Sequence, residues 1–405
     1  MERILKDSGT IQRYRSGPLG LYVQQCAERL CQQGYTREHA HRHIYTVDDF
    51  GRWLERHRVA LSDVTFDHAR RYLDVGRRWK KHGDVAALKR LFEMLAQEGV
   101  IPPIGTPQTE AQLVVHNFGT FLSEERALAH RTIINRKTIV TAFLNQRFGR
   151  RSFQFSNIKA KDLIGFVQKE ATRRRNSIKT VETALRSFTR YLLFSGHLNQ
   201  DLSIAVPGAP NRRLTGIPRH LTADQVSRVL ASCDKRTRTG RRDYAILRLL
   251  ARLGLRAGEV AALKLDDIDW ITGTLTVHGK GGKVRRMPLL HDIGEAISAY
   301  LRKDRLSSPD RRIFQRIGAP CEGLGRTAVG SIVRFALERS GVQSTSGGSH
   351  QFRHTIGAQM LARGASLAEI GEVLRHESTD TTFVYTKVDL GALRPLARHW
   401  PGGAR

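Results

Sequence analysis

The second half of the chain carries arginine, lysine, histidine and tyrosine residues whose side chains together can act on a phosphate group. In chain order these candidates, with one acidic neighbour, are Arg256, Glu259, Lys280, Lys283, His350, Arg353, His376 and Tyr385. An arginine side chain is a permanently charged planar fork that fits the oxygens of a phosphate. A lysine can donate a proton to a leaving oxygen, and a tyrosine hydroxyl can attack phosphorus. These residue types supply what cleavage of a phosphodiester needs without a metal ion: a nucleophile, a charge clamp and an acid.

Taken one at a time, each candidate also has an ordinary structural interpretation. The His-x-x-Arg pattern of His350 and Arg353 occurs again at residues 39–42 and 68–71. Two lysines in a glycine-rich turn could simply keep that turn soluble, and Tyr385 could be a core tyrosine. The order and the spacing of the whole set therefore carry the argument.

That order and spacing strongly resemble those of the tyrosine recombinase (phage integrase) family. The resemblance is carried by four motifs, which are Gly254-Leu-Arg256-Ala-Gly-Glu259-Val, Gly279-Lys280-Gly-Gly-Lys283, His350-Gln-Phe-Arg353-His-Thr and Leu374-Arg-His376-Glu-Ser-Thr-Asp-Thr-Thr-Phe-Val-Tyr385. It covers the last segment of the chain closely and extends more loosely to the segment before it. No catalytic position departs from the family's pattern.

The resemblance implies an active site and a role for each residue in it. The implied catalytic residues are Arg256, Lys280, His350, Arg353, His376 and Tyr385. Tyr385 would attack phosphorus and form a covalent 3′-phosphotyrosyl link, which conserves the bond energy, so neither ATP nor any other cofactor is expected. Lys280 would protonate the leaving 5′ oxygen, and Glu259 would orient Arg256 without reacting.

The charge of the whole chain agrees with a polyanionic partner. Its 405 residues include 67 Lys and Arg against 38 Asp and Glu, a formal net charge of +29. A charge of this size opposes compaction and favours binding to nucleic acid, here double-stranded DNA. Besides the active site, the basic residues expected to contact DNA are Lys283, Arg173, Arg174, Arg175, Arg212 and Arg213. The run of three arginines could equally be a solvated helix end.

Several classes of protein are disfavoured. Residues 1–15 alternate charges and lack an apolar core, so no signal peptide is expected, and no apolar stretch is long enough to span a bilayer. Four scattered cysteines fit a reducing compartment, so we expect a cytoplasmic, nucleoid-associated protein. Cys26 and Cys31 precede His39, His41 and His43, but this spacing fits no common zinc pattern, and no metal site is predicted.

Two proline clusters divide the chain. They lie at residues 101–107 and 206–220, and proline disfavours both helix and strand there. We therefore predict a helical domain at 1–105, a second at 106–205, a linker at 206–220 and a catalytic domain at 221–405. The first two segments look like copies of one helical unit, although two unrelated bundles would fit the same pattern.

The predicted fold class is mainly α with a small antiparallel sheet (α+β). Helix-period stripes dominate, and alternation with period two occurs only around the glycine-rich turn at 279–282. The resemblance implies a tyrosine-recombinase catalytic domain preceded by helical, core-binding (SAM-like) domains. What residues 1–105 contact is not set by the resemblance.

The predicted function is site-specific recombination of DNA, for a mobile element, by a homotetramer assembled on DNA, with partner recombinases as an open option. After Tyr385, an apolar stripe of Leu390, Leu393, Leu396 and Trp400 would link neighbouring subunits or fold back on its own core. Two rivals are relaxation of DNA like that of a type IB topoisomerase, and a catalytically idle DNA-binding regulator. A metal-dependent nuclease is disfavoured because no paired Asp or Glu cluster accompanies the motifs.

Overall fold

The computed structural model describes residues 2, 4–5, 7–75, 82–103, 109–149, 154–173, 177–208, 220–279, 282–343, 348–376 and 378–388. The chain separates into two compact units, one made of Met1–Ile101 with Leu214–Arg405 and the other of Pro102–Arg213. Large hydrophobic cores form within residues 4–101, within 114–206 and within 221–352. The division into the predicted domains and linker stays a prediction. Within the described residues, no helix is long and apolar enough to cross a lipid bilayer.

The described residues of the first segment form five helices around their own core. These are α1 (Ser8–Arg15), α2 (Gly20–Gln32), α3 (Arg37–Arg56), α4 (Phe66–Val75) and α5 (His82–Gln97). The longest, α3, begins after Thr36, whose hydroxyl accepts from the backbone N–H of His39. It buries Ile44, Val47 and Phe50, spaced three residues apart so that they share one face.

The second unit repeats part of this order of elements. Its helices are α6 (Glu110–Glu124), α7 (His130–Phe148), α8 (Ala160–Arg173) and α9 (Ile178–Phe194). A single 3-10 turn precedes α8 at Phe155–Asn157, as another precedes α4 at Leu61–Asp63. Gly99 follows α5 and Gly196 follows α9, both with positive φ. The shared order supports a duplicated unit, which stays a prediction.

The third segment is helical with one small sheet. Its helices are α10 (Ala223–Ala231), α11 (Arg238–Leu253), α12 (Ala257–Ala262), α13 (His291–Lys303), α14 (Arg326–Arg339), α15 (His350–Ala362), α16 (Leu367–Val373) and α17 (Thr379–Thr382), and a 3-10 helix covers Phe383–Val388. The strands β1 (Ile268–Asp269), β2 (Thr274–His278) and β3 (Val284–Pro288) form an antiparallel sheet in that order. Leu275 and Val277 of β2 are both buried, as their alternation predicted. The predicted fold class is confirmed.

Local sequence signals set the ends of these helices. Thr222 and Gln225 form a capping box at the start of α10, and Ser366 and Glu369 form one at the start of α16. Both follow the pattern of Ser or Thr, then Glu or Gln three residues later, that is typical of a helix start. The apolar stripe of α11 is buried in the third core, and Gly254 ends this helix in the left-handed conformation with φ of 58°. This end of α11 positions the residues considered next, because the Gly254 carbonyl points toward α15, where Arg353 Nη1 donates to it at 2.8 Å.

Replacing Gly254 with alanine should lower the free energy of unfolding by more than the same change at Gly273. Both glycines have positive φ, 58° and 62°, a conformation that costs alanine roughly 1–2 kcal/mol. At Gly254 the new Cβ would also lie 3.0 Å from Leu374 Cδ2 and 3.2 Å from Ile356 Cδ1. At Gly273 no described atom lies within 4 Å of the new Cβ. Crowding adds about 1–3 kcal/mol. Urea unfolding of both variants measures the difference, and equal losses would contradict the crowding.

Candidate active site

The first predicted arginine lies at the start of a short helix and is held by its acidic neighbour. Arg256 is the residue before α12, and Glu259 lies in the first turn of that helix. The Glu259 carboxylate accepts from the Arg256 backbone N–H at 2.9 Å and from Arg256 Nη1 at 2.7 Å. Glu259 is buried, whereas the side chain of Arg256 is 33% exposed. The guanidinium is therefore held in place while part of its surface stays accessible to a ligand.

The second arginine and its histidine lie on the first turn of α15. Arg353 is buried, and its Nη1 donates to the carbonyl oxygen of Gly254 at 2.8 Å. Its Nη2 is also buried and finds no hydrogen-bond partner among the described residues. His350, one turn earlier, still reaches solvent. A buried guanidinium with an unsatisfied N–H is costly unless a ligand completes it.

The last two predicted residues come together at the end of the described chain. His376 Nδ1 lies 2.7 Å from the hydroxyl of Thr382. The rings of His376 and Tyr385 are nearly parallel, at 8°, with their centroids 6.2 Å apart. Tyr385 is fully buried, and its ring occupies the space beside Gly357, where a Cβ would lie 2.4 Å from Tyr385 Cζ.

A histidine that the sequence analysis did not select lies at the hydroxyl of this tyrosine. His354 Nδ1 is 3.2 Å from Tyr385 Oη. Burial, then the charges of His350, Arg353 and His220, lower the pKa of His354 to about 4. The ring is therefore neutral at pH 7, and its Nδ1 can accept the tyrosine proton in a hydrogen bond. Burial raises the pKa of Tyr385 to about 12, which the charge of Arg353 partly opposes.

A third arginine, also missed by the sequence analysis, completes the cluster. The side chain of Arg375 is 10% exposed, and its Nη2 lies 3.4 Å from Glu259 Oε2. Its carbonyl oxygen accepts from Arg256 Nη2 at 3.3 Å. The one signal in the sequence was that Arg375 is next to His376. The sequence does not show that its side chain turns back into the site.

The cluster has more positive charge than its own residues neutralise. Contacts of Arg256, Arg353 and Arg375 within the described residues include one carboxylate, that of Glu259. Burial, then the charges of Arg256 and Arg375, lower the pKa of Arg353 to about 9. Burial, then the charges of Arg353 and Arg256, lower the pKa of His376 to about 4. In both residues the neighbouring positive charges disfavour the protonated form, and a bound anion would oppose that part of the shift.

The glycine-rich turn lies beside this cluster. A cavity of about 50 Å³ is lined by Gly279 and Lys283 of the turn, and by Arg256, Glu259, Val277, Arg285, Arg375 and His376. Lys283 is exposed, and its carbonyl oxygen accepts from the backbone N–H of Gly279 at 2.7 Å. Lys280 lies outside the described residues. No group of three or more His, Cys, Asp or Glu residues that could hold a metal ion occurs in the described parts of the chain.

Most of the predicted DNA contacts belong to the other unit. Arg173 ends α8, is 68% exposed and pairs with Glu170 at 3.1 Å. Arg174, Arg175, Arg212 and Arg213 lie outside the described residues, as does the apolar stripe of residues 390–400. Their expected contacts stay predictions.

Known proteins match the chain over nearly all of its length. A model of the phage integrase family matches residues 219–390. The chain is 42% identical over 400 residues to a putative integrase/recombinase of Sinorhizobium fredii, covering 98% of each. It is 31% identical over 304 residues to the tyrosine recombinase XerC of Bacillus pumilus, covering 71% of this chain and 95% of that one.

Solved structures share the fold at low sequence identity. The site-specific recombinase XerH in a post-cleavage complex with its difH substrate has a TM-score of 0.56 and 18% identity, over 76% of this chain and 88% of that one. A lambda integrase dimer bound to a core site has a TM-score of 0.52 and 18% identity, over 72% and 98%. At these identities the likeness shows the fold alone.

We expect His354 to make the unfolding free energy fall as the pH falls from about 6.5 to about 4. In the unfolded chain the histidine has its ordinary pKa of 6.5, so it binds a proton in this window. In the folded protein the pKa of His354 is about 4, so it stays neutral there. The groups that set this are His350, Arg353 and His220, with Tyr385 at the ring nitrogen. His354→Gln removes the effect, so the difference in stability between wild type and variant should shrink on acidification. Urea unfolding at a series of pH values measures it, and a constant difference would contradict the assignment.

Proposed function

Because the chain belongs to the phage integrase family of tyrosine recombinases, which cleave and rejoin DNA, we propose that it is a site-specific recombinase acting through a covalent 3′-phosphotyrosyl intermediate. One observation carries this proposal. Three arginines lie together around one carboxylate, which contacts two of them, and they lie beside a buried tyrosine that is hydrogen-bonded to a neutral histidine. Such a cluster has a place for one anionic group and a nucleophile next to it.

The anion that fits this place is the scissile phosphate of DNA. Arg256 is partly exposed and oriented by Glu259, so it can reach a non-bridging oxygen. The unsatisfied Nη2 of Arg353 supplies a further donor inside the site. Donors fixed in advance stabilise the extra negative charge that develops on the phosphate during attack. His350 and His376 would add hydrogen bonds at the edge of the clamp.

Tyr385 would be the nucleophile. Its oxygen forms a bond to phosphorus while the bond from phosphorus to the 5′ oxygen breaks. The phenolic proton has an acceptor in the neutral His354, 3.2 Å away. The leaving 5′ oxygen needs a proton, for which the sequence offers Lys280. The phosphotyrosyl bond keeps the energy of the broken diester, so attack by a 5′ hydroxyl reverses the step without ATP.

The remaining predictions concern how the enzyme uses this chemistry. We propose that Lys283, with Arg173, Arg174, Arg175, Arg212 and Arg213, contacts the DNA backbone. Exchange of strands requires two cleaved duplexes at once, so a homotetramer on DNA is proposed, with residues 389–405 as the link between subunits. A mobile element and the nucleoid of the cytoplasm are the proposed setting, and partner recombinases stay an option.

The test of the proposed function is trapping of the covalent intermediate. DNA that the protein selects from a random-sequence pool is rebuilt with a nick beside each candidate scissile phosphate, so that the cleaved fragment diffuses away. The wild type should form an adduct that survives detergent, and Tyr385→Phe should bind equally well but form none. Tyr300→Phe, which changes another buried tyrosine, should keep the adduct. No adduct from the wild type would favour the idle regulator, and an adduct from Tyr385→Phe would place the nucleophile elsewhere.

Lys280→Ala should slow cleavage by about 10²- to 10⁴-fold, the usual contribution of a general acid. A 5′-bridging sulfur substrate, whose leaving group needs no proton, should restore most of that rate. Lys283→Ala, in the same turn, should weaken binding and show no selective rescue by sulfur. Single-turnover cleavage rates on both substrates measure these effects. Equal losses of Lys280→Ala on both would make Lys280 a DNA contact and not the acid.

A further inference from the structure

We propose that Arg375 is a positioning residue of this active site, holding Glu259 and thereby Arg256 in the geometry that the phosphate requires. The proposal deepens the proposed function and rests on it. The sequence motifs assign no role to Arg375.

The contacts of Arg375 connect three separate parts of the site. Its Nη2 lies 3.4 Å from Glu259 Oε2 and 3.4 Å from the carbonyl oxygen of Gly254, and its Nη1 lies 2.8 Å from the sulfur of Met287 in β3. The segment that bears His376 is thereby tied to the end of α11, to the start of α12 and to the sheet. The same Gly254 carbonyl also accepts from Arg353.

Arg375 contacts Arg256 through its backbone and, by way of Glu259, through its side chain. The Arg375 carbonyl accepts from Arg256 Nη2, while the Arg375 side chain contacts the carboxylate that holds Arg256 Nη1. The two ends of the Arg256 fork are thus fixed by one residue, directly at Nη2 and through Glu259 at Nη1. Without the Arg375 side chain, Glu259 would keep one cationic partner, and the Nη1 end of the fork would be less restricted.

The conformation of Arg375 is energetically unfavourable in two respects. Arg375 has φ of 54°, in the left-handed region that disfavours side chains with a Cβ. Its Nε is buried and finds no partner among the described residues. Strain and an unsatisfied donor in one residue are typical of functional sites.

The geometry assigns Arg375 a role behind the phosphate and not against it. Its side chain is 10% exposed, against 33% for Arg256, and both of its Nη atoms are occupied by protein acceptors. Affinity for DNA depends on many phosphate contacts spread over the protein, so loss of Arg375 should change it little. The cleavage step depends on placing one charged fork, so the rate should fall.

The experiment compares Arg375→Gly with Arg375→Lys on the nicked DNA described above. Glycine accepts a positive φ without strain, so Arg375→Gly keeps the fold and the backbone carbonyl while removing the side-chain contacts to Glu259, Gly254 and Met287. Lysine keeps the charge but lacks the fork that reaches several acceptors. The matched control is Arg58→Gly, because Arg58 also has a positive φ, 52°, and is exposed.

We expect the single-turnover cleavage rate at saturating DNA to fall about 10- to 100-fold in Arg375→Gly, with the dissociation constant unchanged. Arg375→Lys should remain slow, and Arg58→Gly should cleave at the wild-type rate. In a Glu259→Gln background, Arg375→Gly should cause little further loss, because both changes release the same fork. An independent structural role would instead give losses that multiply.

Three results would overturn the proposal: wild-type cleavage by Arg375→Gly, full recovery in Arg375→Lys, or multiplicative losses with Glu259→Gln. These are distinct from failure of the proposed function, in which the wild type itself forms no adduct.

Discussion

The carboxylate of Glu259 is the constraint on which the geometry of the proposed active site depends. It is buried, and it accepts from the backbone and the side chain of Arg256 while lying within ion-pair distance of Arg375. Removing one partner of a buried charge pair leaves an uncompensated charge. Loss of the carboxylate should therefore destabilise the arginines that it contacts, and loss of these arginines should destabilise the carboxylate. Because the carboxylate balances only part of the positive charge, the site keeps a field that favours an anion. The fold meets this constraint by bringing the end of α11, the start of α15 and the end of α16 to one point.

Much of the fold was predictable because its signals are local. The two capping boxes, the buried stripe of α11 and the alternating strand at Leu275 and Val277 each depend on residues close in sequence. The predicted active-site residues were also identified from short motifs. The spatial distances between those motifs could not be predicted from the sequence. The place of Arg353 against the Gly254 carbonyl, 99 positions away in the chain, depends on tertiary packing.

The residues that sequence reasoning missed share a physical cause. Arg375 has the left-handed conformation that short sequence patterns assign to glycine, and its side chain acts at long range. His354 stands inside a recognised motif, but its contact with Tyr385 depends on how the end of the chain returns to α15. Gly357 has no chemistry of its own, and its role is the space it leaves for the tyrosine ring. Backbone conformation, return of the chain and empty space are three properties that residue types alone do not encode.

Main-chain carbonyl oxygens accept many of the hydrogen bonds that orient the arginines of this site. This affects how the protein tolerates mutation. The oxygen of Gly254 accepts from Arg353 and lies near Arg375, and the oxygen of Arg375 accepts from Arg256. A side-chain substitution cannot delete a backbone acceptor, so these anchors survive changes at the positions that carry them as long as the backbone keeps its path. Substitutions on the surrounding surface can therefore accumulate without removing the acceptors that orient these arginines. Divergence of the sequence around the site is thus compatible with an unchanged arrangement of its arginines.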